Sequence, residues 1–140
     1  MIDINGHAWE SKKEFEDYKE YLIPKLHEIL DKGYSVDWDF SSNWVKITKY
    51  VGKHKAPDSI CSNMRFFAEI KVFRTPSTYG IKNGKISKMG IKLRPDYPNM
   101  EFNREHQIIY FKYDRGKDSN DLKKDKIAKK MYNDIIEVFN

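Results

Sequence analysis

The sequence predicts an α+β fold: an antiparallel five-stranded sheet with an N-terminal and a C-terminal helix, stacked as a two-layer sandwich. Three observations carry that expectation. Apolar residues recur at helical spacing near both ends of the chain. They alternate with period two in five segments between. The connections among those segments are short, which favours antiparallel pairing of neighbours. A length of 140 residues suits one domain spanning 1–140, because half that length rarely buries an adequate core.

Ser11-Lys12-Lys13-Glu14 has the capping-box pattern, with Ser at the N-cap and Glu three positions on. Phe15, Tyr18, Leu22, Leu26, Ile29 and Leu30 follow at helical spacing, and Gly33 is a natural stop. Pro24 lies inside this stripe. Its missing N–H and its clash with the Glu20 carbonyl predict a kink or a break. Tyr34, Val36, Trp38 and Phe40 then alternate with Ser35, Asp37 and Asp39, the period of a half-buried strand. After the turn residues Ser41-Ser42-Asn43, Trp44 to Val51 reads as the return strand. Val45, Ile47 and Val51 take one side, and Trp44, Lys46, Thr48 and Tyr50 the other. Gly52, Pro57 and Asp58 mark 52–62 as a loop.

Met64 to Phe73 is the strongest strand. Met64, Phe66, Ala68, Ile70 and Val72 form an apolar row opposite Arg65, Phe67, Glu69, Lys71 and Phe73. Pro76 interrupts the ladder, and Asn83-Gly84 between Ile81 and Ile86 is a hairpin signal. The chain returns over 85–94, with Met89, Ile91 and Leu93 opposite Lys88, Lys92 and Arg94. The fifth strand, His106 to Tyr113, has two readable faces, since either Ile109 with Phe111 or Ile108 with Tyr110 suits the interior. Asp114-Arg115-Gly116 turns the chain, Asp118 or Ser119 caps the last helix, and Leu122, Ile127, Met131, Ile135 and Val138 form its stripe.

Composition narrows the class. Hydrophobic residues make up 39% and charged residues 34%, polar for a globular protein, yet three Trp, nine Tyr and eight Phe argue against disorder. No apolar run is long enough to span a membrane, and Met-Ile-Asp-Ile-Asn lacks the start of a secretion signal, so a cytoplasmic protein is expected. The lone Cys61 excludes an internal disulfide and a multi-cysteine zinc site. His7, His27, His54 and His106 show no metal-ligand spacing, and no cofactor or metal is expected.

The net charge of +5 is unevenly spread. Five lysines oppose ten acids over 1–40, twelve basic residues oppose only Asp58 and Glu69 over 41–95, and the signs balance over 96–140. Such asymmetry speaks of partners rather than fold. If both helices cover the Met64/Phe66/Ile70 row, alternation leaves rings and cations together on the opposite face. Arg65, Lys71, Arg74, Lys88, Lys92 and Arg115 would pair phosphates, and Phe67, Phe73 and Tyr79 would stack on bases, with Lys112 and Tyr110 as further candidates. In the loop from Pro76 to Lys88, backbone N–H groups near Gly80 and Gly84, with Ser77, Lys85 and Arg74, would cradle a phosphate.

That loop, Pro76-Ser77-Thr78-Tyr79-Gly80-Ile81-Lys82-Asn83-Gly84-Lys85-Ile86-Ser87-Lys88, and the later Tyr113-Asp114-Arg115-Gly116-Lys117-Asp118 resemble a family of small uncharacterised phage and prophage proteins. That family shares a P-S-x-Y-G-I-x-x-G-x-I-S-K segment and a Y-D-R-G-x-D turn. The resemblance covers about residues 64–120 and departs at Lys117, where the family often carries an aromatic residue. It implies a viral or mobile-element origin and action on host machinery, without implying an activity.

The expected function is therefore a non-enzymatic phage-derived accessory protein that binds a nucleotide or nucleic acid and so antagonises host defence. One alternative is a protein–protein inhibitor of a host defence protein, or a homo-oligomeric module, in which the aromatic row is an interface. Another is a metal-dependent nuclease or phosphodiesterase built on Asp37 and Asp39, which alternate onto one side of their strand.

Overall fold

The alternation of Met64 to Val72 places this strand at the middle of the sheet, where one face is wholly apolar. A computed structural model describes residues 2–4, 7–38, 42–52 and 63–140, with side chains from Ala8 onward. Asp39, Phe40, Ser41 and the 53–62 stretch with His54 and Cys61 lie outside the described residues. The elements are β1 (Ile2–Ile4), β2 (His7–Trp9), α1 (Lys12–Asp31), β3 (Ser35–Asp37), β4 (Trp44–Gly52), β5 (Met64–Val72), β6 (Ile86–Pro95), α2 (Met100–Glu105), β7 (Ile108–Asp114), β8 (Lys117–Asn120) and α3 (Lys126–Phe139).

The main sheet runs β3-β4-β5-β6-β7-β8, each strand antiparallel to its neighbours, and β1 with β2 forms a separate two-stranded ribbon. The class is the α+β class expected, with six strands in the main sheet instead of five. The additional strand is β8, which follows a two-residue turn in which Arg115 (φ 48°) and Gly116 (φ 99°) are both left-handed, the geometry that matches strand twist in a tight hairpin. Asp118 and Ser119 therefore sit in a strand and do not cap the last helix. Asp125 does so, its Oδ1 accepting from the N–H groups of Ile127 and Ala128 at 2.8 and 3.0 Å.

Ser11 caps α1 as expected, accepting from the Glu14 N–H at 3.1 Å, and Gly33 (φ 95°) ends it. Pro24 does not break α1, which runs unbroken from Lys12 to Asp31. An interior proline costs about 3 kcal/mol. Burial of Tyr18, Leu22 and Ile29 offsets it, each large apolar side chain contributing about 1.5–3 kcal/mol. The Tyr18 hydroxyl also donates to the Val72 carbonyl at 2.8 Å, tying α1 to β5.

Phe66, Ile70, Ile91 and Leu93 pack against Leu22 and Ile29 of α1 and Met131, Ile135 and Phe139 of α3 in one core. Both long helices thus cover the same sheet face. In β7 a register shift opposite Ile91 and Lys92 lets adjacent residues Tyr110 and Phe111 both bury, while Ile109 turns outward. Tyr110 is therefore a core residue and does not join the open face. Asn83 ends a short 3-10 turn, Ile81–Asn83, and Gly84 caps it within a long loop, instead of the pair forming a two-residue hairpin tip. No helix among the described residues is long and apolar enough to cross a membrane.

One buried polar contact joins the two helical ends of the core. The Tyr34 hydroxyl donates to Asp134 Oδ2 at 2.6 Å, and Lys130 Nζ lies 2.8 Å from the same oxygen. Burial alone would raise the Asp134 pKa, but hydrogen bonds from Lys130 and Tyr34 outweigh it and hold the carboxyl below its usual range. Protonation consequently favours the unfolded chain. The contribution is fully present above the unfolded-state value near 3.9 and is lost as pH falls through the lower folded-state value. Tyr34→Phe is expected to cost about 1.5–3 kcal/mol at neutral pH and to flatten the acid end of the stability profile. Urea melts across the acid range check this, and identical profiles for the two proteins would remove Tyr34 from the titration.

Candidate functional site

Because α1 and α3 share one face, the alternate side chains of β4 to β7 are left on the other. Register builds that face in rows. Trp44, Lys71, Lys88 and Asp114 lie side by side across four strands, followed by Lys46, Glu69, Gly90 and Lys112. Thr48, Phe67 and Lys92 come next, and then Tyr50, Arg65 and Arg94. The cations outnumber Glu69 and Asp114, as the charge of the 41–95 segment requires.

At the Lys71 end the loop after β5 and the β7–β8 turn close around a cavity of about 570 Å³. Lys71, Phe73, Ser77, Tyr79, Lys88 and Arg115 line it, together with Thr75 and Ser87. Two segments distant in the chain meet here. The Tyr113 hydroxyl donates to the Tyr79 carbonyl at 2.8 Å, and the Arg115 N–H donates to the Ser87 carbonyl at 3.1 Å. Ser87 is the extra residue where the β5–β6 register shifts, a bulge that interrupts the alternation beside the cavity.

Lys71 Nζ lies 5.6 Å from the Phe73 ring centre and 6.0 Å from that of Trp44. Burial and the positive charges of Lys88 and Arg115 lower the Lys71 pKa, and Asp114 opposes them. Asp114 is shared, standing 3.9 Å from Lys88 Nζ and 3.7 Å from Arg115 Nε. Three cations therefore converge with one carboxylate between them. Phe73 and Tyr79 are 40% and 65% exposed, so their rings are open to a ligand.

The other candidates divide. Arg65, Phe67 and Lys92 lie farther along the same face. Phe67 is only 7% exposed and lies outside the core, with the Arg65 and Arg94 guanidiniums 5.4 and 4.9 Å from its ring centre. It forms a floor beneath cations instead of a free stacking surface. Arg74 and Lys85 turn toward α1. An Arg74 nitrogen is 3.9 Å from Asp17, and Lys85 Nζ is 5.0 Å from the Tyr21 ring centre.

The loop cradle is filled by the protein itself. The N–H groups of Gly80, Asn83 and Gly84 bond within the loop, and Asn140 Oδ1 accepts those of Lys85 and Ile86 at 2.9 and 3.2 Å. Gly80 is needed for a different reason. A Cβ there would collide with the Gly84 carbonyl. Sequence reading passed over Ser87 and Arg104. The motif I-S-K contains Ser87, but no local pattern marks Arg104, which reaches the face from α2. Among the described residues no group of three His, Cys, Asp or Glu side chains stands together to hold a metal ion.

Residues 49–140 match a family described as a domain of unknown function, DUF7678. The chain belongs to the DUF7678 family. The match starts within β4 and takes in β5 to α3, so every residue lining the 570 Å³ cavity is DUF7678 sequence. α1 and β3, which cover and edge the sheet, precede it. No curated protein and no solved structure matches the chain.

Proposed function

We propose that this DUF7678 protein is a binding protein for a phosphate-bearing ligand, a nucleotide or a nucleic acid, without catalysing its turnover. One observation carries the reading: Lys71, Lys88 and Arg115 converge with the exposed rings of Phe73 and Tyr79 around one cavity. The volume is within the range of small-ligand sites. A phosphate among the three cations would relieve their mutual repulsion, and a base on either ring would add about 1–3 kcal/mol. The resemblance to phage and prophage proteins supports an accessory role in which capturing such a ligand antagonises a host defence.

Calorimetric titration with short oligonucleotides and with cyclic nucleotides, each at two salt concentrations, tests this. Binding at low salt that weakens as salt rises is the expected result. No heat from either class at low salt overturns the proposal. A second reading draws on Trp44, Phe73 and Ile109, which are large, apolar and exposed on the same face. There the face joins a protein partner or a second copy, and a stable oligomer that survives nuclease treatment distinguishes it.

A further inference from the structure

The open face does not end at the cavity. Lys71 and Arg65 stand six positions apart on β5, about 20 Å along the strand, and a second cationic cluster stands there. Arg65, Arg94 and Arg104 border a hollow of about 480 Å³ with Lys46 and Tyr50, where Asp37 and Glu69 are the acidic members and Arg65 Nε lies 3.9 Å from Asp96 Oδ1. Arg94 is held by its Nε hydrogen bond to Gln107 Oε1 at 2.9 Å. Burial and the neighbouring Arg65 and Arg104 lower its pKa, and Glu69 opposes them.

Between the clusters the floor drops at Gly90. A smaller hollow of about 190 Å³ lies there among Trp44, Phe67, Glu69, Lys88 and Lys92. A glycine inside a central strand weakens it and often marks a close approach by something else. Packing does not demand this one. A Cβ at Gly90 would meet only Lys92 Cε, at 3.9 Å, an ordinary contact. Glu69 beside it makes no salt bridge or side-chain hydrogen bond among the described residues.

Building on the proposed phosphate-binding reading, we infer that the ligand is a single-stranded nucleic acid laid along β5 and β6. It runs from the Arg115 cavity, over Gly90, to the Arg65–Arg94–Arg104 end. The two clusters are too far apart for one nucleotide to reach both. A chain of about four nucleotides or more matches the site size of single-strand-binding sheets. Phosphates take the cations at both ends, and bases have Trp44, Phe73 and Tyr79 as stacking surfaces. The bare Cα at Gly90 lets the strand lie close to the sheet, and the Glu69 carboxylate can accept from a base N–H group.

The test is a length series of oligodeoxyuridylates and oligouridylates, which differ only in the sugar, from the mononucleotide to about eight nucleotides, read by fluorescence anisotropy at low salt. Affinity is expected to rise at least about tenfold from one to four nucleotides and then level off. Whichever sugar gives the steeper rise identifies DNA or RNA as the strand. Gly90→Val should leave the melting temperature unchanged or higher, retain mononucleotide affinity and lose the gain with length. Arg94→Ala should also flatten the length dependence. Equal affinity for monomer and octamer overturns the inference and leaves the cavity proposal standing, as does a length gain that survives both substitutions. Absence of binding at every length removes both.

Discussion

Neutralising Lys71, Lys88 and Arg115 together is expected to lower ligand affinity by about a hundredfold or more while the protein stays folded. Each charge-assisted contact to phosphate contributes about 1.5–3 kcal/mol, so the loss of three exceeds two powers of ten even with strong non-additivity. The fold should tolerate the change because these side chains lie on the uncovered face, and Lys71 is already penalised by its cationic neighbours. Arg115 offers the sharper single test. Its backbone is left-handed at φ 48°, a conformation that costs a non-glycine residue about 1 kcal/mol. Arg115→Gly should therefore raise thermal stability slightly and still weaken binding. A melt and an anisotropy titration of the same sample check both halves. Unchanged affinity would take Arg115 out of the site.

Gly84→Ala is expected to destabilise the protein by about 2–4 kcal/mol and to weaken binding without altering any ligand-facing residue. A Cβ at Gly84 would overlap the Asn140 side chain. That amide is the clamp on the loop: Oδ1 accepts from Lys85 and Ile86, and Nδ2 donates to the Ile81 carbonyl at 3.0 Å. Displacing it strands the Lys85 and Ile86 N–H groups, leaves the Ile81 carbonyl with the Gly84 N–H alone, and loosens the segment that carries Ser77 and Tyr79. Asn140→Ala alone should cost about 2–3 kcal/mol by the same loss. In a double-mutant cycle, Gly84→Ala should cost far less when Asn140 is already alanine, because its collision partner is gone. Gly80→Ala meets backbone, the Gly84 carbonyl, and should receive no such relief. Denaturant melts of the six proteins separate the two cases. Additive Gly84 and Asn140 effects would refute the clamp.

The open face was legible in the residues because alternation is a local property of the pleat. Once β5 buries Met64, Phe66, Ala68, Ile70 and Val72, Arg65, Glu69 and Lys71 must face the other way. The helix caps at Ser11 and the stop at Gly33 were equally local. β8 was not legible. Its residues, Lys117 to Asn120, are all exposed and show no apolar period, and they form a strand only because the turn lays them against β7. The two readable faces of β7 were the trace of a bulge that buries both Tyr110 and Phe111. That choice is made by the core opposite and not by the strand itself.

Sequence alone therefore determined the α+β class, the five alternating strands and the side of the sheet on which rings and cations collect, since each follows from residues a few positions apart. Only the tertiary structure decided which of them meet. It joined the 71–88 segment to Arg115, turned Arg74 and Lys85 toward α1, spent the loop N–H groups on Asn140 and covered Phe67 with guanidiniums. Those outcomes depend on where a loop leaves the ladder and on what it meets from distant parts of the chain. No local period encodes that geometry.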